Sequence, residues 1–407
     1  MILLRCYPRI TDFIYHFFNE ASWADFRFLP IYSYGFFVAC GFFAAATLAV
    51  KEMKRREALG LLKGQEQEVT IGEAPSVAET IFYGIFGFIL GFKVLGLVAY
   101  KNELSAGALS IGDFMFSASG SWVGGILAGA GLAGYFYWSK NKQKLAQPEK
   151  KKIATYPSDG IGDLVVIAAV LGVLGSNLFN YLENPGDYAD FWSNPLGSLF
   201  SGLSVYGGLI CAGVGFGLYA WRKKFSILHF FDSVAPGFIL ANGIGRIGCQ
   251  VSGDGDWGLA NPYTKPSWFP QFMWSDSYAY HIVNCDPTVD VPIPNCIGEE
   301  NCCQLAHAAY PTPIYEFLMC TVIFFILWSI RKKVTYKPGM VFFIFMILIG
   351  IQRYAIEQWR DLSGRDTYHF FGAEFRQSEI ISIIMVTIGV GVTAWLWNKY
   401  KGQTNTI

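Results

Sequence analysis

Nine apolar stretches alternate along the chain with short polar segments, and this pattern restricts the fold more than any other feature. An α-helix needs about 20 apolar residues to cross a bilayer. Only 15% of the 407 residues are charged, against about 25% in soluble proteins. The pattern therefore predicts an all-α polytopic membrane protein with about nine transmembrane helices. The expected spans lie near 32–50, 77–100, 120–138, 160–182, 203–221, 228–249, 312–330, 339–357 and 379–398.

Basic clusters follow every second span, and this arrangement predicts the orientation. The clusters are Lys51–Arg56, Lys140–Lys152, Arg222–Lys224, Arg331–Lys333 and Lys399–Lys401. Loops rich in lysine and arginine stay in the cytoplasm, so we expect the N-terminus outside and the C-terminus cytoplasmic. A small extracytoplasmic head would then be built from the loops around 101–119, 183–202, 250–311 and 358–378. The formal net charge is zero, which gives no indication of nucleic-acid binding.

The pattern also divides the chain into three parts. Residues 1–30 mix charges with aromatic residues, which predicts a surface-lying interfacial helix and not a cleaved signal. Residues 31–400 would form the transmembrane domain, and residues 401–407 a cytoplasmic tail. Within the transmembrane domain lie a hairpin at 77–138 and a cysteine-rich loop at 250–311.

Four cysteines lie in the long 250–311 loop. In an oxidising compartment they predict two disulfides, for which three pairings are possible. The alternative is a zinc site that combines these cysteines with His281 or His307. The four candidates are Cys285, Cys296, Cys302 and Cys303.

Residues 81–138 resemble residues 164–221. Each copy contains a glycine-rich pair of spans followed by a basic segment, and Gly124–Gly125 corresponds to Gly207–Gly208. This similarity indicates a duplicated helical hairpin. The alternative is chance, because small residues recur wherever transmembrane helices pack closely.

Polar side chains gather at the outer ends of the later spans. Ionisable residues are costly at membrane depth and are usually functional there. Their convergence at one leaflet predicts a cavity for an amphiphile with a charged head group. They are Asn177, Asn180, Tyr181, Glu183, Ser204, Tyr206, Asn242, Arg246, Asp254, Asp256, Tyr315, Glu316, Gln352, Arg353, Glu357, Arg360, Gln377 and Glu379.

Each candidate also has a plain structural interpretation. Arg246 could be an anchor that reaches lipid phosphates from a span terminus. Arg353 and Glu357 are four residues apart and could form an ion pair within one helix. Glu316 could face water. Tyr206 and Tyr34 could be interfacial aromatics, a common role for tyrosine.

Five short motifs together carry a resemblance to a known family. They are IYSYGFFVACGF at Tyr34, SVYGGL at Tyr206, GRIGCQVSGDGDWG at Arg246, PIYE at Tyr315–Glu316 and IQRYAIEQWRD at Arg353. In order and spacing they resemble the motifs of the prolipoprotein diacylglyceryl transferases. The resemblance covers about two-thirds of the chain.

The resemblance implies an activity, its partners and its location. Members transfer diacylglycerol from phosphatidylglycerol to the lipobox cysteine thiol of prolipoproteins and release glycerol 1-phosphate. They work in the bacterial cytoplasmic (inner) membrane, among membrane lipids, with the active site facing the periplasm. The resemblance implies no metal and no organic cofactor.

The same motifs assign expected roles to individual residues. We expect a catalytic group consisting of Arg246, Arg353, Glu357, Tyr206 and Glu316. The expected substrate-binding group is Tyr34, Gly207, Gly208, Asp254, Asp256, Gly258, Tyr315 and Arg360. The arginines would hold the phosphate and stabilise the charge on the leaving group.

Relative to the family pattern, the hairpin at 77–138 and the cysteine-rich loop at 250–311 are additions, which suggest a divergent member. Other departures leave questions open. Tyr206 replaces the motif histidine, so no imidazole base stands there, and a tyrosine with a pKa near 10 is a poor base at neutral pH. Cys249 stands where asparagine is common, and Asn177 where the family has an arginine. One inserted residue lets either Asp254 or Asp256 take the acidic place of the signature.

Three other functions remain as alternatives. Glycine-broken spans and a repeat are also found in transporters, which indicates a small-anion transporter. Tyr206 and Cys249 would suit a paralogue that binds lipid without catalysis. A thiol oxidoreductase is the weakest alternative, since the chain contains no C-x-x-C pair.

Overall fold

A computed structural model gives the fold of most of the chain. It describes residues 5–18, 31–105, 114, 117–145, 147–184, 204–294, 296, 302–360, 367–370 and 373–401. Most of the predicted 183–202 loop and of the 401–407 tail lie outside the described residues. Parts of 1–30, 101–119, 250–311 and 358–378 do so as well.

All nine predicted spans are helices, and their bounds fall within a few residues of those predicted except at the C-terminal ends of the spans at 32–50 and 120–138, where the helices are longer. A short helix, α1, precedes them at Ile10–Phe18, and α4 is a single turn at Lys101–Ser105. The nine are α2 (Ser33–Ala58), α3 (Val77–Ala99), α5 (Trp122–Lys142), α6 (Ile161–Glu183), α7 (Val205–Arg222), α8 (Ile227–Ser252), α9 (Thr312–Ile330), α10 (Met340–Glu357) and α11 (Gln377–Lys399).

The helix content confirms an all-α polytopic membrane protein. Among the described residues, seven helices are long and apolar enough to cross a membrane. The glycine-rich helices α5 and α7 are outside this group of seven. Each packs along a helix that belongs to it, α5 along α3 and α7 along α6. Of the nine predicted spans, seven are long and apolar enough to cross a membrane, and the other two are the glycine-rich helices α5 and α7.

The core is a helical bundle built around α8. Helix α2 packs along one side of α8, α9 packs along another, and α10 and α11 follow in order. Small residues bring α2 and α8 together, because side chains at Gly41 or Gly237 would meet the facing backbone at 2.9 and 2.8 Å. The buried apolar centre between α8, α9 and α10 includes Ile239, Leu327 and Val341.

Hairpins α3–α5 and α6–α7 show the same packing at equivalent positions. In the first, Gly91 faces Gly124, and in the second, Gly175 faces Gly207, each with a backbone carbonyl where a side chain would begin. The turn that precedes the second helix is also shared. Ser121 N donates to Phe92 O at 2.8 Å, and Ser204 N donates to Ser176 O at 3.2 Å. These matched contacts support the duplicated hairpin over chance similarity.

Two-stranded ribbons join the helices outside the bundle. Strands β1 (Gln65–Ile71) and β2 (Glu149–Thr155) pair antiparallel and connect hairpin α3–α5 to its neighbours α2 and α6. Strands β3 (Asp290–Pro292) and β4 (Cys303–Leu305) pair in the long loop after α8. Strands β5 (Thr367–Phe370) and β6 (Ala373–Arg376) pair just before α11.

The loop after α8 forms a compact head, which we define as the described residues 253–311 together with residues 5–9. Cys285 pairs with Cys303, and Cys296 with Cys302. The expectation of two disulfides is confirmed, and the zinc alternative is wrong, because a sulfur in a disulfide cannot serve as a thiolate ligand. Buried His281 contacts Asp290 at 3.3 Å inside the head.

A buried charge network lies at the end of the bundle where the basic clusters meet, which we call the basic end. Arg56 is fully buried and contacts Glu52, His229 and Asp232. Asp232 also accepts hydrogen bonds from Gly339 N, just before α10, and from Phe342 N in its first turn, where the amides of a helix have no partner within it. Arg331 Nε reaches Glu52 at 3.1 Å. These contacts join α2, α8, the C-terminal end of α9 and the N-terminal end of α10.

Replacing Arg56 by alanine is expected to destabilise the bundle strongly. Removing one member of a buried ion pair costs about 3–5 kcal/mol, because the remaining charge is left buried and unpaired. The measurement is thermal unfolding of the purified protein in detergent. Arg222→Ala is the matched control, since Arg222 is an exposed arginine at the same end. Equal unfolding temperatures for Arg56→Ala and the control would contradict the prediction.

Candidate active site

The opposite end of the bundle, the site end, holds a second charge cluster. Here α8 ends, α9 begins and α10 ends. Arg246, near the end of α8, places Nε 2.5 Å from Glu316 Oε2 on the second turn of α9. Its Nη1 donates to the carboxylate of Asp256, which lies in the turn after α8. Arg246 therefore connects two carboxylates from two different segments.

Helix α10 and the residues after it supply the remaining members. Arg353 Nη2 lies 3.0 Å from Glu357 Oε2, and its Nη1 lies 3.7 Å from Glu316 Oε1. Arg360 contacts Asp256, and its Nη1 lies 4.0 Å from Glu316 Oε1. Glu316 thus touches all three arginines. We call this set of three arginines and three acids the arginine cluster.

Burial within the arginine cluster is uneven. The side chains of Glu316, Glu357 and Arg360 are at most 4% exposed, whereas those of Arg246, Arg353 and Asp256 are 16 to 23% exposed. Solvent therefore reaches the cluster at the latter three. Among the described residues, the ion pairs of Arg246 use Nε and Nη1, so its Nη2 has donors left there for another acceptor. An anionic group could bind there.

The turn after α8 requires glycine. Gly253 ends the helix with φ 66°, and Gly255 has φ 92°, both in the left-handed region that glycine adopts without strain. A side chain at Gly253 would also meet Cys6 Sγ at 2.6 Å. This reversal brings Asp256 back against Arg246. Thr312 Oγ1 then donates to the Asp256 carbonyl at 2.6 Å and fixes the turn to α9.

The structure distinguishes between the two candidate aspartates. Asp256 forms ion pairs with Arg246 and Arg360, whereas Asp254 accepts a hydrogen bond from Asp256 N at 3.4 Å. Ligand atoms of Cys249, Asp254 and Asp256 lie within 4.8 Å of one another. Two guanidinium groups already neutralise Asp256, and their positive charge opposes a metal cation at this place.

A comparison with known protein families gives a match over residues 143–395 to prolipoprotein diacylglyceryl transferase. The chain belongs to this family. The match includes helices α6 to α10, nearly all of α11, and the whole arginine cluster, but not the hairpin α3–α5 or Tyr34.

Similar curated proteins carry the same description. The phosphatidylglycerol--prolipoprotein diacylglyceryl transferase of Clostridium tetani is 28% identical over 249 residues, which are 60% of this chain and 84% of that protein. The corresponding enzyme of Streptococcus uberis is 27% identical over 248 residues, 60% of this chain and 82% of its own. That of Clostridium novyi is 26% identical over 249 residues, 60% and 81% respectively.

The other predicted site residues differ in how close they lie to the arginine cluster. Tyr34 packs against α8 two residues from Arg246, since a side chain built on Gly248 would meet its Cα at 3.2 Å. Tyr315 donates from its hydroxyl to Met273 O at 2.9 Å and fastens the head to α9. Its contact is with the protein backbone.

The predicted glycines pack against protein. The atoms nearest to a side chain built on Gly207 or Gly208 belong to α6, at 2.3 and 2.4 Å. A side chain built on Gly258 would similarly meet Trp359 O at 2.6 Å, and Gly258 pairs with Arg360 through a β-bridge. Close helix and loop packing accounts for all three glycines, and their place in the substrate-binding group stays a prediction.

Tyr206, which replaces the motif histidine, has a buried hydroxyl. Among the described residues that hydroxyl has no hydrogen-bond partner. A buried polar atom without a partner is costly, so a group that is supplied with the substrate would stabilise it.

Sequence reasoning missed Thr312 and the buried network of the basic end. Thr312 is fully buried and holds the carbonyl of Asp256. Its only sequence signal is its position next to Pro313, at the first residue of a span. By sequence, Glu52, Arg56 and Arg331 are ordinary charges in basic loops. The partner of Arg56 on another span, Asp232, lies 176 residues away along the chain.

The head is expected to become less stable as the pH rises from about 4 to about 7. Burial raises the pKa of Asp276 to about 6, from 3.8, although hydrogen bonds from Gln250 and Tyr278 N oppose the shift. The Asp276 carboxyl therefore holds its proton more tightly in the folded head than in the unfolded head, and this stabilisation disappears above the folded pKa. Hydrogen exchange across residues 253–294, corrected for intrinsic rates, measures it. In Asp276→Asn the stability of the head should no longer decrease with pH in this range. An unchanged pH dependence in that variant would contradict the assignment to Asp276.

Proposed function

We propose that this protein transfers the diacylglyceryl group of phosphatidylglycerol to the lipobox cysteine thiol of prolipoproteins. The observation that supports this most strongly is the arginine cluster, which lies at the ends of three spans and opens to solvent at Arg246 and Arg353. A phosphodiester head group at the membrane surface matches that position and charge. Family membership and the names of the relatives point to the same reaction.

The reaction needs a stabilised leaving group and an ionised thiol. The thiol sulfur attacks the glyceryl carbon that bears the phosphodiester, a carbon–sulfur bond forms, and the carbon–oxygen bond to phosphate breaks. Glycerol 1-phosphate leaves with the electron pair. In this proposal Arg246 and Arg353 donate hydrogen bonds to the phosphate and carry its increasing charge. Glu316 and Glu357, both buried, hold the two guanidiniums in place.

The thiol proton passes to a carboxylate of the site, and Asp256 is the proposed acceptor. Of the three acids in the cluster it is the most exposed, and it contacts Arg246. Two guanidiniums make Asp256 a weak base. They also lower the pKa of a thiol that binds beside them, so a weak base suffices. Asp256→Asn should then slow transfer more than Asp254→Asn.

We further propose the location and domain division that the charge pattern predicts. The protein would lie in the bacterial inner membrane with the site end facing the periplasm, since the basic clusters lie at the opposite end. Residues 1–30 would lie at the interface, 31–400 would form the transferase domain and 401–407 a cytoplasmic tail. Phosphatidylglycerol and the prolipoprotein are the proposed partners. No cofactor is invoked.

The test is transfer of labelled diacylglycerol from phosphatidylglycerol to a lipobox peptide by purified protein. Transfer that needs both substrates is the expected result. Anion flux in proteoliposomes without transfer would favour a transporter. Lipid binding without transfer would favour a non-catalytic paralogue, and Tyr206→His would then show whether the missing imidazole accounts for the loss.

A further inference from the structure

The segment that follows the site turn exposes large aromatic rings. We call residues 259–274 the aromatic loop. Trp268 is 79% exposed, Tyr263 is 69% exposed and Leu259 is 48% exposed. The ring of Phe269 lies edge-on against both Trp268 and Trp274, with centroids 5.3 and 5.7 Å apart. Exposed apolar surface of this size usually marks an interaction site.

Internal hydrogen bonds hold the aromatic loop in one shape. Asn261 Nδ2 donates to Trp274 O at 2.9 Å, and Trp274 Nε1 donates to Tyr263 O at 3.1 Å. Lys265 Nζ donates to Phe269 O at 2.8 Å. The exposed rings therefore stand on a loop whose shape is held by these three side-chain hydrogen bonds.

Contacts with the helices fix the depth of the aromatic loop. Tyr315, on the first turn of the span α9, donates to Met273 O at 2.9 Å. At the other side, Leu259 N donates to Trp359 O, two residues after the end of α10. The loop thus lies level with the ends of two spans. Below it, Leu318 on α9 is also exposed, so the apolar surface of the spans continues into the loop.

We propose that the aromatic loop inserts into the interfacial layer of the bilayer at the site end and binds phospholipid there. Tryptophan and tyrosine favour this layer because their rings are apolar and their polar atoms can stay hydrated. The loop begins one residue after Gly258, which pairs with Arg360 of the arginine cluster. Insertion would hold the cluster at the depth of the phosphate groups. This last consequence rests on the proposed function, whereas insertion itself does not.

The direct test uses fluorescence quenching of the full-length protein in lipid nanodiscs. The difference between wild type and Trp268→Phe isolates the emission of Trp268. Phospholipids brominated near the head-group end of the acyl chain should quench that emission, and aqueous iodide should quench it weakly. Strong quenching by iodide with none by bromolipids would overturn the proposal.

A kinetic test separates lipid from peptide as the partner of the loop. In the double variant Tyr263→Ala/Trp268→Ala, we expect the KM for phosphatidylglycerol to rise about tenfold, which corresponds to about 1.4 kcal/mol of lost affinity. The KM for the lipobox peptide and kcat should stay unchanged. Trp138→Ala, an exposed tryptophan on α5, is the matched control. A rise in the peptide KM instead would assign the loop to the prolipoprotein. Bromolipid quenching without any transfer would refute the proposed function alone.

Discussion

Replacing Arg246 by lysine is expected to lower kcat/KM for diacylglyceryl transfer by about 10²- to 10³-fold, the effect of losing one charge-stabilising donor in a transition state. Arg246 contacts Glu316 through Nε and Asp256 through Nη1. A lysine has one nitrogen and no planar fork, so it cannot keep both ion pairs and still donate to a phosphate. The decrease should appear in kcat, because the charge on the leaving group is greatest in the transition state.

The control for this experiment is Arg222→Lys, a change of the same type at an exposed arginine of the basic end. Its transfer rate should equal that of the wild type. Thermal unfolding of both variants separates a catalytic loss from a folding defect. Transfer at the wild-type rate by a folded Arg246→Lys protein would refute the assignment of Arg246 to the phosphate.

Replacing Glu316 by glutamine is expected to lower transfer by about 10²-fold or more. Glu316 is almost completely buried and lies within 4.0 Å of all three arginines. Glutamine keeps the shape but removes the charge that balances the guanidiniums, and their mutual repulsion then displaces Arg246 and Arg353. Loss of one partner from a buried ion pair also costs about 3–5 kcal/mol of stability.

Glu316→Asp distinguishes the charge of this residue from its length. It retains the negative charge, so its activity should lie between those of wild type and Glu316→Gln. Glu183→Gln is the matched control, because Glu183 lies at the same end and bonds Ser204 and Gln377 outside the cluster. Glu316→Gln with wild-type turnover would show that the cluster does not depend on its central carboxylate.

Much of the cluster could be predicted from the sequence because all its members lie at span ends on one side. Arg246 ends one span, Glu316 begins the next, and Arg353 ends the span after that. Successive spans are antiparallel, so alternation alone brings such residues to one surface. The four-residue spacing of Arg353 and Glu357 likewise indicated their contact, which is 3.0 Å in the structure.

Other features could not be predicted because they depend on contacts between distant segments. The three possible disulfide pairings were equivalent by sequence, and the folded head selects Cys285–Cys303 and Cys296–Cys302. Gly207 and Gly208 matched a family motif, but only the packed hairpin reveals that they face α6. The buried network around Arg56 and Asp232 joins residues 176 positions apart.

The sequence by itself determined where the nine long helices lie, their approximate bounds and the end of the bundle at which the charges gather, since hydropathy and charge act locally along the chain. The tertiary structure decided which charges pair. Asp254 and Asp256 are two residues apart in one glycine-rich turn, and no local preference separates them. The left-handed turn at Gly253 and the hydrogen bond from Thr312 direct Asp256 toward Arg246 and Arg360. An ion pair between distant segments forms only where the folded backbone brings the two side chains within reach, and that position is a property of the folded bundle.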